Sequence, residues 1–219
     1  MNSKLIVLGA IGIAALGIVA YKFLPPMSMG AMDGMDHATM DGSNVAPSTK
    51  AFDGAMTRMM QGMTAAPTGK PDLDFMQGMI PHHQGAIEMS KVVLQFGKDP
   101  EVKTLAESVI KAQEGEIASM KSWLEKADKA KLVESPEATK GNGDVMTAMM
   151  KNMTMTYSDD ADVDYIKSMI PHHQGAIDMA KVALQYAKDP DVLKLAGEVV
   201  SAQEGEIAFM NDWLKRMGK

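Results

Sequence analysis

The chain repeats itself. Residues from Met56 to Leu124 align without a gap on Met146 to Leu214 at a constant offset of 90, so that His82 falls on His172 and Trp123 on Trp213. Whatever one unit folds into, the chain must accommodate it twice. Each copy reads as helices. Asp99 and Pro100, with their counterparts Asp189 and Pro190, place a capping side chain before a proline at the first helical position, where its missing N–H is not needed. In the helix that follows, Gln113, Ile117, Met120 and Leu124 recur at four, three and four residues, an apolar stripe carrying one amide. The preceding helix is predicted from about Asp72 to Phe96. It crosses Pro81, whose ring removes the bond to the Gln77 carbonyl and predicts a kink. A shorter helix upstream carries "MTRMMQGM". No useful stretch alternates with the period of a strand, so the expected fold is all-α, two tandem helical repeats forming helix bundles.

This reading divides the chain into a signal peptide or membrane anchor at 1–24, a disordered Met/His-rich linker at 25–50, and helical metal-binding repeats at 51–128 and 141–219. The first segment has Lys4 ahead of an uncharged apolar run from Leu5 to Ala20 and then a proline pair. That pattern predicts export to the periplasm or beyond, with residues 5–24 as the one membrane attachment if the segment is not cleaved. The linker is rich in Gly, Pro, Ser and Asp and has no apolar period apart from its methionines. A net charge of -6 leaves no basic field to hold a polyanion, which argues against nucleic acid as a partner.

Methionine is the anomaly. The chain has 23 methionines against 13 leucines and no cysteine, so thioethers and five histidines are its only soft or borderline metal ligands. In the linker, Met27, Met29, Met32, Met35 and Met40 flank His37, where no core can use them. In the short helices, Met56, Met59, Met60 and Met63 recur at i, i+3, i+4 and i+7, as do Met146, Met149, Met150 and Met153, which predicts one sulfur-bearing face per helix. On the second helix Met76, Met79 and His83 share one stripe, and His82 and Met89 a neighbouring one. Met169, His172, His173 and Met179 repeat the set, with Ile166 in place of Met76. A methionine stripe is also ordinary core filler, and Met120 and Met210 read as core. Gln113 and Gln203 read either as partners orienting a histidine or as amides bonded to the carbonyl of Gln77 or Lys167.

Thioethers are neutral and soft and favour Cu(I) and Ag(I), while imidazole also suits Cu(II). Zinc would want thiolate or more histidines per copy. Di-iron bundles use Glu-x-x-His, which is absent here, although Glu88, Glu114 and Glu116 keep an oxygen-rich site in view. The expected ligand is therefore copper, Cu(I) preferred and Cu(II) accepted, with silver as a surrogate.

The elements "MIPHHQGAIEM", "DPEVKTLA" and "AQEGEIASMKSWL", with their second copies, resemble a small exported helical domain catalogued as a domain of unknown function. Its hallmark is the Pro-His-His-Gln-Gly-Ala motif. The resemblance covers about Phe52 to the C-terminus and implies ferritin-like topology in each repeat. With the methionine-rich leader it is also similar to copper-resistance proteins acting outside the cytoplasm. It implies ligands at Met79, His82, His83 and Met89, and at Met169, His172, His173 and Met179. The expected function is non-enzymatic: copper sequestration or chaperoning in the cell envelope, with an efflux system or metallochaperone as the partner class. A ferritin-like metallo-oxidase and a methionine-based oxidant scavenger are the alternatives.

Overall fold

The computed structural model describes residues 45–219. Among them are six helices, α1 (Pro47–Gly62), α2 (Pro71–Phe96), α3 (Pro100–Lys126), α4 (Pro136–Asn152), α5 (Ala161–Tyr186) and α6 (Pro190–Met217), and no strand. The fold is all-α, as expected. The leader and the linker up to residue 44, with Met27, Met29, Met32, Met35, His37 and Met40, lie outside the described residues, as does the proposed anchor at 5–24. Among the described residues no helix is long and apolar enough to cross a membrane.

Local chemistry sets the helix ends. The Asp99 carboxylate accepts from the amides of Glu101 and Val102, Asp160 from those of Asp162 and Val163, and Asp189 from that of Asp191. Each thereby satisfies amides that the first turn leaves without intrahelical partners. Five of the six helices begin with proline in the first turn. α6 ends at Gly218, whose φ of 65° is the left-handed conformation that closes a helix cheaply only at glycine. Two boundaries need correction. Residues 47–50, assigned to the linker, are the first turn of α1. Residues 136–140, assigned to the break between repeats, open α4. In both places a proline at the first helical position was the available signal. α2 and α5 run on as helix through Pro81 and Pro171.

The two repeats interleave into one bundle of α2, α3, α5 and α6. α2 and α5 lie antiparallel, and each start holds the other's end. Asp72 Oδ1 accepts from the amides of Lys188 and Asp189 at 3.0 and 2.8 Å. Asp162 Oδ2 accepts from Lys98 and Asp99 at 2.8 and 3.1 Å. Each apolar core then draws on both repeats. One combines Met89 and Val93 of α2, Val102 and Val109 of α3, Tyr165, Ile166 and Met169 of α5, and Met210 and Trp213 of α6. The other combines Leu73, Phe75, Met76 and Met79 of α2, Ile117, Met120 and Trp123 of α3, Ala176 and Ala180 of α5, and Val192 and Val199 of α6. Each core thus takes opposite halves of the four helices. The middle of the bundle lies between them.

Candidate metal centre

That middle is polar. His82, His83, His172 and His173 are wholly buried, and Gln113 and Gln203 nearly so. The imidazoles of His82 and His172 meet across the α2–α5 contact with ring centroids 3.9 Å apart and planes tilted by 45°. His83 and His173 stand to either side, at 6.4 Å from His82 and 6.0 Å from His172 respectively. His83 Nε2–H donates to Glu116 Oε2 and His173 Nε2–H to Glu206 Oε2, both at 2.6 Å. A carboxylate that accepts from one ring nitrogen fixes the ring and leaves the other facing inward, an arrangement that outer partners commonly impose on metal-binding histidines. Here Nδ1 of His83 and Nδ1 of His173 are buried without a partner.

Burial pushes the pKa of both central histidines well below the ordinary imidazole value. For His82 the neighbouring positive charge available at His83 and His173 adds to the effect. For His172 the charges of His82, His173 and His83 do the same, against a smaller upward pull from its bond to the His82 carbonyl. The central pair is therefore neutral at pH 7, and a neutral imidazole keeps a lone pair for a metal. Unpartnered polar atoms crowd the same layer: both nitrogens of His82, Nδ1 of His172, both amide atoms of Gln113 and Oε1 of Gln203. Buried polar groups almost always find a partner, so a cluster of this kind marks a place built for something the protein alone does not supply.

The remaining candidate ligands come from the short helices. Met59 of α1 and Met63, which caps its end, meet Met149 of α4 and its capping Met153 in a separate buried cluster, with Met56, Met60, Met146 and Met179 packed against it. This cluster rests on the histidine helices. At Gly85 an added methyl group would stand 2.8 Å from Met59 Sδ, and at Gly175 it would stand 2.6 Å from Met149 Sδ and 3.4 Å from His82 Nε2. The glycine of each His-His-Gln-Gly-Ala motif is thus the space into which a methionine of the neighbouring short helix settles. Outside the cluster is a cavity of about 590 Å³ lined by Met60, Met63, Met146, Met149, Met150 and Met179 together with Phe75.

The sequence-predicted ligands divide accordingly. Met59, Met63, Met149 and Met153 come together, with Met56, Met60, Met146 and Met179 around them. Met76 and Met79 are packed into one apolar core, Met89 and Met169 into the other. Met150 is 57% exposed and lines the cavity. Glu116 and Glu206 were absent from the predicted ligand set although both are repeated at the offset of 90, 33 residues after His83 and His173. Glu88 instead pairs with Arg58 at the surface at 2.7 Å. Gln113 bonds neither to a histidine nor to a main-chain carbonyl. Among the described residues no three His, Asp or Glu side chains are grouped to hold an ion by themselves.

An all-helical bundle of two interleaved repeats, with a Pro-His-His pair at its centre, defines the class. The family profile described as "Domain of unknown function (DUF305)" matches residues 72–218, and the chain belongs to that family. Among solved structures it is similar to CopM in its Cu(I)-bound form, at 32% identity over 67% of this chain and 96% of that one, with a TM-score of 0.51. The Cu(II)-bound form of CopM matches at 32% identity over 67% and 97%, with a TM-score of 0.53. A DUF305 protein of Streptomyces coelicolor, described as secreted, matches at 32% identity over 69% and 95%, with a TM-score of 0.55. A curated relative, uncharacterized protein L153 of Acanthamoeba polyphaga mimivirus, is 46% identical over 54 residues, which is 25% of this chain and 36% of that protein.

Proposed function

We propose that this protein binds copper in the cell envelope, sequestering or chaperoning Cu(I), and Ag(I) as its surrogate, without catalysis. It would contribute in this way to copper resistance. The observation that carries the reading is the cluster of Met59, Met63, Met149 and Met153, separate from the two apolar cores and packed against the helices of two buried neutral histidines, of which His82 has both ring nitrogens free. Thioether plus neutral imidazole is a donor set matched to a soft monovalent ion and poorly matched to Mg, Ca or Mn. The likeness to CopM, seen in Cu(I)-, Cu(II)- and Ag-bound forms, supports it. The secreted relative and the apolar leader support an extracytoplasmic setting, periplasmic or secreted. A copper efflux system or metallochaperone of the envelope is the recipient class this role implies.

An anaerobic Cu(I) titration against a chromogenic competitor tests the reading, run on residues 25–219 and on a version starting at Val45, just ahead of α1. Retention of tight binding by the shorter chain is the expected result and makes the bundle the store. Loss of all binding with the tail would reduce the helices to a scaffold.

A further inference from the structure

The two repeats bring the same residues to the central layer and leave them in different states. His172 Nε2 lies 3.1 Å from the carbonyl oxygen of His82. A carbonyl only accepts, so this nitrogen carries the proton and is closed to a metal. No reciprocal bond runs from His82. Both of its ring nitrogens are buried and without a partner. Met149 Sδ and His82 Nε2, contributed by different repeats, face the same point above Gly175, 2.6 and 3.4 Å from where a methyl group would stand. His172 keeps a lone pair only on Nδ1, the nitrogen beside its own main chain. The offset of 90 suggests two equal sites; the hydrogen bonding leaves one.

We propose that the central layer takes a single soft cation, Cu(I) or Ag(I), through His82 Nε2 and Met149 Sδ, and that His172 is a positioning residue that holds the main chain of His82 in place. This rests on the copper-binding reading above and assigns its ligands. Thioether side chains rotate freely enough to close on an ion from this starting arrangement. His172 contributes a fixed N–H, a role that a glutamine amide can also fill.

The test uses the full chain and four variants: His82→Gln, His172→Gln, Met149→Leu and, as a core methionine, Met120→Leu. Each is titrated anaerobically with Cu(I) and checked for helix content and thermal midpoint. The expected result is that His82→Gln and Met149→Leu each lose one equivalent or bind it at least tenfold more weakly. His172→Gln and Met120→Leu should stay within about threefold of the parent. Long-range ¹H–¹⁵N spectra on Ag(I) addition should move His82 Nε2 and leave His172 Nε2 protonated, a readout that altered stability does not mimic. Equal losses at His82 and His172, or a silver-induced shift at His172 Nε2, would overturn the assignment while leaving copper binding intact. A parent chain that binds no Cu(I) would instead end the copper reading and this inference together. Should His82→Gln fail to fold, Met149→Leu and the silver spectra decide alone.

Discussion

Two sets of methionines in this molecule have the same side chain and opposite circumstances. Met79, Met89, Met120, Met169 and Met210 are fully buried among Val, Leu, Ile and aromatic side chains from both repeats. Met59, Met63, Met149 and Met153 are also buried but meet one another, above two glycines and beside a histidine with no hydrogen-bond partner. In the first set the sulfur is incidental and any side chain of that volume would serve. In the second, hydrocarbon would pack equally well, so the concentration of sulfur calls for a chemical reason. Burial does not distinguish a ligand from filler; the neighbours do.

Truncation should break the comparison most sharply. Met210→Ala, in a fully buried core position, is expected to cost about 2–5 kcal/mol in urea unfolding, with Cu(I) stoichiometry unchanged in the fraction that folds. Volume-conserving replacement should then separate the sets. Leucine at Met59, Met63, Met149 and Met153 together is expected to weaken Cu(I) binding by roughly 100-fold, about 2.7 kcal/mol, with a small change in thermal midpoint. Leucine at Met79, Met89, Met120 and Met169 should leave affinity near that of the parent.

Acid probes the histidines under the cluster. The folded state holds His82 and His172 below the usual imidazole pKa, chiefly by burial, so the unfolded chain takes up protons first as pH falls. Their contribution is complete above about pH 6.5 and is lost below it. Urea midpoints of the metal-free protein should therefore drop between pH 7 and pH 5, and a midpoint that rises would contradict neutral burial. Thioether sites need no deprotonation, so Cu(I) should still be held below pH 5, where imidazole competes with protons.

The smallest effects should come from glycine. Gly115→Ala, on an exposed turn with open space around the new methyl, is expected to stabilise by up to about 1 kcal/mol through helix propensity. Gly85→Ala has the same propensity gain, but its methyl would stand 2.8 Å from Met59 Cβ as well as Sδ, so rotating the side chain cannot relieve the clash and α1 must shift. That variant should lose both stability and Cu(I) affinity. Thermal melts and the competitor titration read the difference.

Much of the architecture was legible in the residues. The offset of 90 gave the duplication, and proline at the first helical turn marked the starts of α3 and α6. The same signal was present at Pro47 and Pro136, but glycine- and serine-rich surroundings read as linker outweighed it. Interleaving was not legible. The bonds that lock it, Asp72 to Lys188 and Asp162 to Lys98, span 116 and 64 positions, and a one-dimensional pattern holds no record of which distant amide an aspartate meets. Helical periodicity likewise placed Met79 and Met59 on stripes of similar quality. Only the helix packed opposite decides whether the facing side chain is a valine or another thioether. Glu116 was in view only for an oxygen-rich site, and its pairing with His83 was hidden for the same reason, since that histidine sits on a different helix.

X-ray absorption at the copper edge, on residues 45–219 loaded anaerobically with one equivalent of Cu(I), addresses the central claim most directly. The account predicts a first shell that contains sulfur, with imidazole nitrogen beside it. A shell of nitrogen and oxygen alone would contradict it, and would return Met59, Met63, Met149 and Met153 to the status of core filler.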